Sequence, residues 1–238
     1  MTTKVNKLKV KIFADGADLK SIYDLSEKKF IKGITTNPTL MRKSGVKNYI
    51  LFAQQVLKKV KKKSISLEVF ADNPSEIEHQ ATKISKLGEN VFVKIPIMNT
   101  KKKYLYKTIK KLSDKGIKLN ITAIMTFKQV KELVKYINPK VETYISIFAG
   151  RIADTGRDPI PIMKSSVRLV KKTKSRILWA STREIYNIFQ ANESGCHIIT
   201  VGYEFIKKLN LIGYNLENYS LDTVRTFFTD AKKSGYKI

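Results

Sequence analysis

A single lysine, Lys94, sits within the run V-F-V-K-I-P from Val91 to Pro96. β-Branched and aromatic residues closed off by a proline read as a buried strand. A cation placed there must be solvated, paired or neutral, because desolvation disfavours the ammonium and lowers its pKa. A neutral amine in a pocket is a nucleophile, and with a carbonyl substrate it forms a Schiff base. The ordinary alternative is a lysine at a strand end whose ammonium snorkels into water. The elements around it decide between the two.

Short apolar runs alternate with helical segments along the whole chain. Strands are expected at 9–14, 31–35, 64–70, 90–95, 117–123, 142–148, 176–180 and 196–201. Helices are expected at 18–28, 47–61, 74–87, 101–115, 127–137, 161–174, 183–195 and 204–211. Asn73-Pro74 places an asparagine cap before a proline at the first helical position. A ninth helix is expected over 220–233, opening on Ser220 as its N-cap. Eight strand–helix units in 238 residues favour a closed (β/α)8 TIM barrel of the α/β class, with an extra C-terminal helix, over an open doubly wound sheet. No linker or composition shift divides residues 1–238, so one barrel domain is expected.

A barrel of this kind builds its active site at the C-terminal ends of its strands. The sequence delivers Asp15 after the first strand and Thr35, Thr36 and Asn37 after the second. Glu68 comes from the third, Lys94 from the fourth, Asn120 and Thr122 from the fifth. Ser146 and then Arg151 follow from the sixth, Ser181 and Arg183 from the seventh, and Thr200 from the eighth. Each has an ordinary reading: Asp15 as a helix cap, Asn37 before Pro38 as a turn, Arg183 in a solvated first turn. Polar groups at the same end of nearly every strand are harder to explain structurally, since each one buried unpaired costs roughly 1–3 kcal/mol. A lysine, two carboxylates, two amides, hydroxyls and two arginines suit a polyhydroxylated ligand with an anionic group.

The net charge is +26, from 46 Lys+Arg against 20 Asp+Glu. Such an excess could release counterions from a nucleic-acid backbone. It is spread in lysine runs such as Lys61–Lys63, Lys101–Lys103 and Lys171–Lys172, at helix ends and in loops, as a solvated surface would be. No specific nucleic-acid partner is therefore expected, though the field can steer anionic substrates. The basic start, Met1 to Lys9, lacks the apolar core of a signal peptide, and no apolar run is long enough for a membrane helix. One cysteine, Cys196, permits no internal disulfide, so a reducing, cytoplasmic setting is expected. With only His79, His197 and Cys196 as soft or imidazole ligands, no metal site and no cofactor are expected.

The motifs I-T-T-N-P (Ile34–Pro38), V-K-I-P (Val93–Pro96), L-N-I-T (Leu119–Thr122) and S-I-F-A-G-R-I (Ser146–Ile152) resemble those of the transaldolase family. So do W-A-S-T-R (Trp179–Arg183) and F-A-D-G-A (Phe13–Ala17), and the likeness runs through nearly the whole chain in order. The family comprises Schiff-base class I aldolases on a (β/α)8 barrel, including small fructose-6-phosphate aldolases. The resemblance implies that Lys94 forms the imine and Asp15 exchanges the proton of the hydroxyl beside the breaking carbon–carbon bond. It implies that Glu68 and Thr122 hold a water that shuttles protons. Asn37, Thr36, Asn120, Ser146 and Phe148 would surround the dihydroxyacetone unit, and Arg151, Ser181 and Arg183 would bind phosphate.

Glu68 and Phe148 resemble the transaldolase side of the family, where fructose-6-phosphate aldolases carry glutamine and tyrosine. Group transfer between sugar phosphates, in pentose phosphate chemistry, is thus expected over simple cleavage. Gly16 stands where the family has threonine, Ile147 where it has proline, and the segment R-I-A-D-T-G-R-D-P is expected to bring Arg157 near the mouth. A fructose-6-phosphate aldolase-like enzyme, or one acting on another ketose, is the alternative; a charge-driven binder without catalysis is the third reading. Leu221, Val224, Phe227 and Phe228 on the last helix would pack on the barrel or, as in small family members, on a neighbouring subunit of a homo-oligomeric ring or decamer.

Overall fold

A computed structural model describes Val5 and residues 7–238. Eight parallel strands close into a barrel in simple chain order. They are β1 (Lys11–Asp15), β2 (Ile31–Thr35), β3 (Ser64–Glu68), β4 (Val91–Pro96), β5 (Leu119–Ile124), β6 (Thr143–Ile147), β7 (Ser175–Trp179) and β8 (Ile198–Gly202). The outer layer holds α1 (Leu19–Ser26), α2 (Pro38–Lys43), α3 (Tyr49–Lys59), α4 (Pro74–Ser85), α5 (Tyr106–Asp114), α6 (Phe127–Leu133), α7 (Ala149–Ala153), α8 (Ile160–Leu169), α9 (Tyr186–Glu193) and α10 (Tyr203–Lys207). A 3₁₀ turn, Lys208–Leu211, and α11 (Leu216–Ser234) complete the chain.

Side chains of a strand alternate between its two faces, so each strand feeds two separate layers. Outward residues such as Ile34, Leu67, Val93, Ile95, Ile121, Ile145 and Ile177 are fully buried against the helices. A smaller cluster of Phe13, Phe92, Tyr144, Leu178, Ala180 and Ile198 forms the inner layer. Phe92 and Tyr144 stack with centroids 3.9 Å apart, and Phe13 meets Tyr144 edge-on at 5.6 Å. Gly33 makes room for this packing, since a Cβ there would lie 2.7 Å from the Phe13 ring and 2.6 Å from Ser64 Oγ. The rings fill the barrel interior and leave polar residues for its C-terminal rim.

The register brings the expected site residues side by side. Asp15 pairs with Thr35, Glu68 with Lys94, Lys94 with Asn120, and Pro96 with Thr122. The β5–β6 ladder is irregular between Ile121 and Ile124, and Ala123 has φ +60°. A left-handed non-glycine residue costs roughly 1–2 kcal/mol. Asn120 and Thr122, two apart on β5, both face the cavity, as strand alternation requires.

Three local expectations are corrected. The last helix starts at Leu216 with Asn215 as its cap, its side chain accepting from the Asn218 amide, so Ser220 lies inside the helix. The segment 101–105 is a loop, because Asn99 Oδ1 accepts from the amides of Lys101 and Lys103 and Lys102 adopts φ +59°. Two short helices, α2 and α7, follow β2 and β6 directly. The first is capped by Asn37, whose side chain accepts from the Leu40 amide at 2.9 Å. No residue of α11 is buried; Val224, Phe227 and Phe228 are 58, 68 and 69% exposed. No helix of the described residues is long and apolar enough to cross a membrane.

Truncating Ile121, fully buried between β5 and the helical layer, leaves a cavity in the outer core. Ile121→Ala is expected to lower unfolding stability by roughly 2–5 kcal/mol, read from the shift of the urea midpoint at constant slope.

Candidate active site

The C-terminal rim of the barrel encloses a cavity of about 230 Å³. Its walls include Asp15, Asn37, Lys94, Asn120, Thr122, Ser146, Phe148, Arg151, Ser181 and Arg183. Of the residues placed at the strand ends from sequence, Thr36 and Glu68 are not on the wall. Both stand behind Lys94. Its Nζ lies 3.0 Å from Glu68 Oε2 and donates to the Thr36 carbonyl at 3.0 Å. The ammonium is 7% exposed as a residue and is paired rather than bare, which answers the question its sequence context poses. The Thr36 hydroxyl donates to the Ser66 carbonyl, so its side chain ties β2 to β3. Tyr49 fixes the Glu68 backbone by donating to its carbonyl at 2.8 Å.

The floor of the cavity is a hydrogen-bonded row. Asn120 Nδ2 donates to Ser66 Oγ at 2.9 Å, and Ser146 Oγ donates to Asn120 Oδ1 at 2.6 Å. Asn120 is thereby held in one amide orientation next to Lys94. Thr122 Oγ1 is buried and has no hydrogen-bond partner among the described residues. A buried hydroxyl left unpaired is costly, so it suits a site meant to meet a ligand or water.

Asp15 faces Lys94 from across the cavity. Thr35 Oγ1 donates to Asp15 Oδ1 at 2.7 Å, and the Thr35 and Thr200 hydroxyls are in contact. Burial pushes the Asp15 pKa above the usual carboxylate value of 3.8. The Lys94 charge and the Thr35 bond oppose that rise, while Glu204 and Glu68 add to it. A carboxyl shifted in this direction keeps its proton more readily than a solvated one, which suits a group that must both take and return a proton.

The remaining wall carries cations. Arg151 lies over the Phe148 ring, its Cζ 5.4 Å from the centroid. Arg183 pairs with Asp154, Nε donating to Oδ1 at 3.1 Å and Nη2 to Oδ2 at 2.5 Å. Helix α7, which follows β6, touches the loop after β7 through Gly150: a Cβ there would fall 1.6 Å from the Ser181 carbonyl oxygen. Ser181 itself has φ +65°. Strained backbone of this kind is often gathered at functional sites. Arg157, expected near the mouth, donates to Thr155 Oγ1 and is not on the cavity wall; Asp154 of the same segment meets the site only through its pair with Arg183.

Glu204, Thr182, Ser66 and Asp154 were not singled out from sequence. The Glu204 carboxylate folds back over Gly202, within 2.5–2.8 Å of where a Cβ would stand. Its position just beyond β8 is the one signal the sequence holds for it. Asp154 sits three residues after Arg151, close to one helical turn. Cys196 is buried, and burial pushes its thiol up to about 12, away from thiolate chemistry.

The Asp15 shift predicts a stability change with a definite sign. Well below 3.8 both folded and unfolded chains hold the proton. Above it the unfolded chain ionises first, so the folded state loses stability until pH passes the raised folded value. Asp15→Asn is therefore expected to be more stable than the parent protein near pH 7 and equal to it at about pH 3. Urea unfolding at the two pH values measures the difference.

The profile of the transaldolase/fructose-6-phosphate aldolase family matches residues 12–238. A protein of Dehalococcoides mccartyi named probable transaldolase is 30% identical over 202 residues, covering 84% of this chain and 90% of its own. A Thermoanaerobacter protein of the same name is 29% identical over 231 residues, covering 96% of this chain and all of its own. A third, from Thermoplasma volcanium, is 31% identical over 204 residues, covering 84% and 87%.

Proposed function

Since the chain belongs to the transaldolase/fructose-6-phosphate aldolase family, we propose that it moves a dihydroxyacetone unit between sugar phosphates through a Schiff base on Lys94. The class of enzyme follows from membership; the covalent step and the sugars are inferred from the cavity. The observation that carries the inference is Lys94 itself: buried, 3.0 Å from a carboxylate, with Asp15 on the facing wall.

The steps use groups already in place. Glu68 accepts a proton from Lys94, freeing the amine to attack the ketose carbonyl. The carbinolamine loses water, with Glu68 and Thr122 guiding the proton to the departing hydroxyl. Asp15 takes the proton of the hydroxyl beside the bond to be cleaved, and the carbon–carbon bond breaks to release an aldehyde. The electron pair flows into the protonated imine, which becomes an enamine. Asn37, Asn120 and Ser146 hold the three-carbon hydroxyls, with Thr36 fixing the Lys94 side through its carbonyl. The acceptor aldehyde then enters, the enamine attacks it, Asp15 returns the proton, and water guided by Glu68 and Thr122 hydrolyses the re-formed imine to release the product ketose and the Lys94 amine. Arg151, Ser181 and Arg183 bind the phosphate, as guanidinium forks suit a phosphate monoester. Fructose 6-phosphate, erythrose 4-phosphate and sedoheptulose 7-phosphate are the substrate class that fits.

Incubation with fructose 6-phosphate and borohydride is expected to leave a stable mass adduct on the parent protein and none on Lys94→Met. A retained three-carbon unit supports transfer. An equal adduct on Lys94→Met would remove the assignment, and free dihydroxyacetone accumulating in the absence of an acceptor aldehyde would favour the aldolase alternative.

The assembly is read from α11. Its apolar residues Leu221, Val224, Phe227 and Phe228 are exposed on a helix with no buried residue. An unpaired apolar face of this size suits contact with a second copy. Sedimentation is expected to find an oligomer for the parent chain and a smaller species for Phe227→Ser/Phe228→Ser; equal masses for both would remove the role of this helix.

A further inference from the structure

We infer that Asp154 is a positioning residue of the anion site, holding Arg183 in the one orientation that presents it to a phosphate. The inference rests on the phosphate role of Arg183 proposed above. Asp154 is not itself on the cavity wall, whereas Arg151 and Arg183 are. Its two oxygens accept from Nε and Nη2 of Arg183, at 3.1 and 2.5 Å. That side-on pair consumes one edge of the guanidinium and fixes its plane. Nη1 and the outer N–H of Nη2 remain for an anion.

Stability does not explain the pair. Both side chains are 49% exposed, and exposed ion pairs contribute little to folding. Helix α7 and the loop after β7 are already held together by the close contact of Gly150 with the Ser181 carbonyl. Removing Asp154 would free a long side chain and leave both segments where they are. An arginine with free rotamers must be ordered when the anion arrives, whereas a held one binds with less entropic loss. The two arginines thus have different orienters: the Phe148 ring for Arg151 and the Asp154 carboxylate for Arg183.

The opposite role is also physical. A carboxylate on the arginine could compete with phosphate, and then its removal would tighten anion binding. The sign of the change decides. Calorimetric titration with inorganic phosphate, which needs no turnover, is expected to show Asp154→Ala and Asp154→Asn binding roughly tenfold more weakly than the parent protein. Asp154→Glu recovers part of the loss. KM for fructose 6-phosphate rises by a similar factor with little change in kcat. In Arg183→Ala, adding Asp154→Ala has no further effect, because the pair acts as one unit. Unchanged or tighter phosphate binding in Asp154→Ala, with the fold intact by circular dichroism, overturns the inference. If Arg183→Ala itself leaves phosphate binding unchanged, the phosphate role of Arg183 fails first, and the positioning role fails with it.

Discussion

The constraint on which the site depends is the burial of one ammonium. Lys94 lies at the rim of a strand whose neighbours are apolar, and it is 7% exposed. A charge removed from water must be compensated by a partner and by hydrogen bonds. The register supplies both: Glu68 stands directly opposite Lys94 on β3, and the Thr36 carbonyl arrives from the end of β2. The same arrangement that permits the lysine to be buried places a carboxylate where a proton leaving the amine can go.

Around this centre the period of two along each strand does the sorting. Outward positions hold aliphatic residues against the helices, and inward positions change character with height. Below, Phe13, Phe92 and Tyr144 fill the interior. Above them come Asp15, Thr35, Glu68, Lys94, Asn120, Ser146 and Thr200. The aromatic layer closes the barrel under the cavity, so the polar row has protein below it and an opening above. Polar side chains in such a place satisfy one another, as Asn120 does with Ser66 and Ser146. Mutual satisfaction fixes their orientation before a ligand is bound, and a preorganised polar site needs little rearrangement when charge develops.

The cationic side of the cavity is built on a different principle. Arg151 stands on the short helix α7 and Arg183 on the loop after β7, where long side chains have more freedom than in the barrel interior. Backbone contact of Gly150 with Ser181 joins α7 to that loop, and each guanidinium has its own neighbour, the Phe148 ring or the Asp154 carboxylate. Strained residues at Ala123 and Ser181 flank β6 on both sides. The conformational cost is concentrated where the chain leaves the sheet to form the mouth of the cavity.

The sequence by itself determined the eight alternating units, hence the barrel, and the identity of the strand-end residues that line it. Periodicity and strand breaks are local properties, and the C-terminal rim of a barrel follows from its topology. Asn37 shows how two local readings coexist: it caps α2 and also lines the cavity. Only the tertiary structure decided which groups touch. That Lys94 is paired rather than solvated depends on β3–β4 register, which no pattern within β4 encodes. The approach of Asp154 to Arg183 spans 29 residues, and the return of Glu204 over Gly202 depends on the chain's path beyond β8. The start of α11 likewise turned on a competition between caps, Asn215 against Ser220, that both residue types could have met. Contacts between distant segments are set by the closure of the barrel and the packing of its loops, and a linear sequence carries no direct record of either.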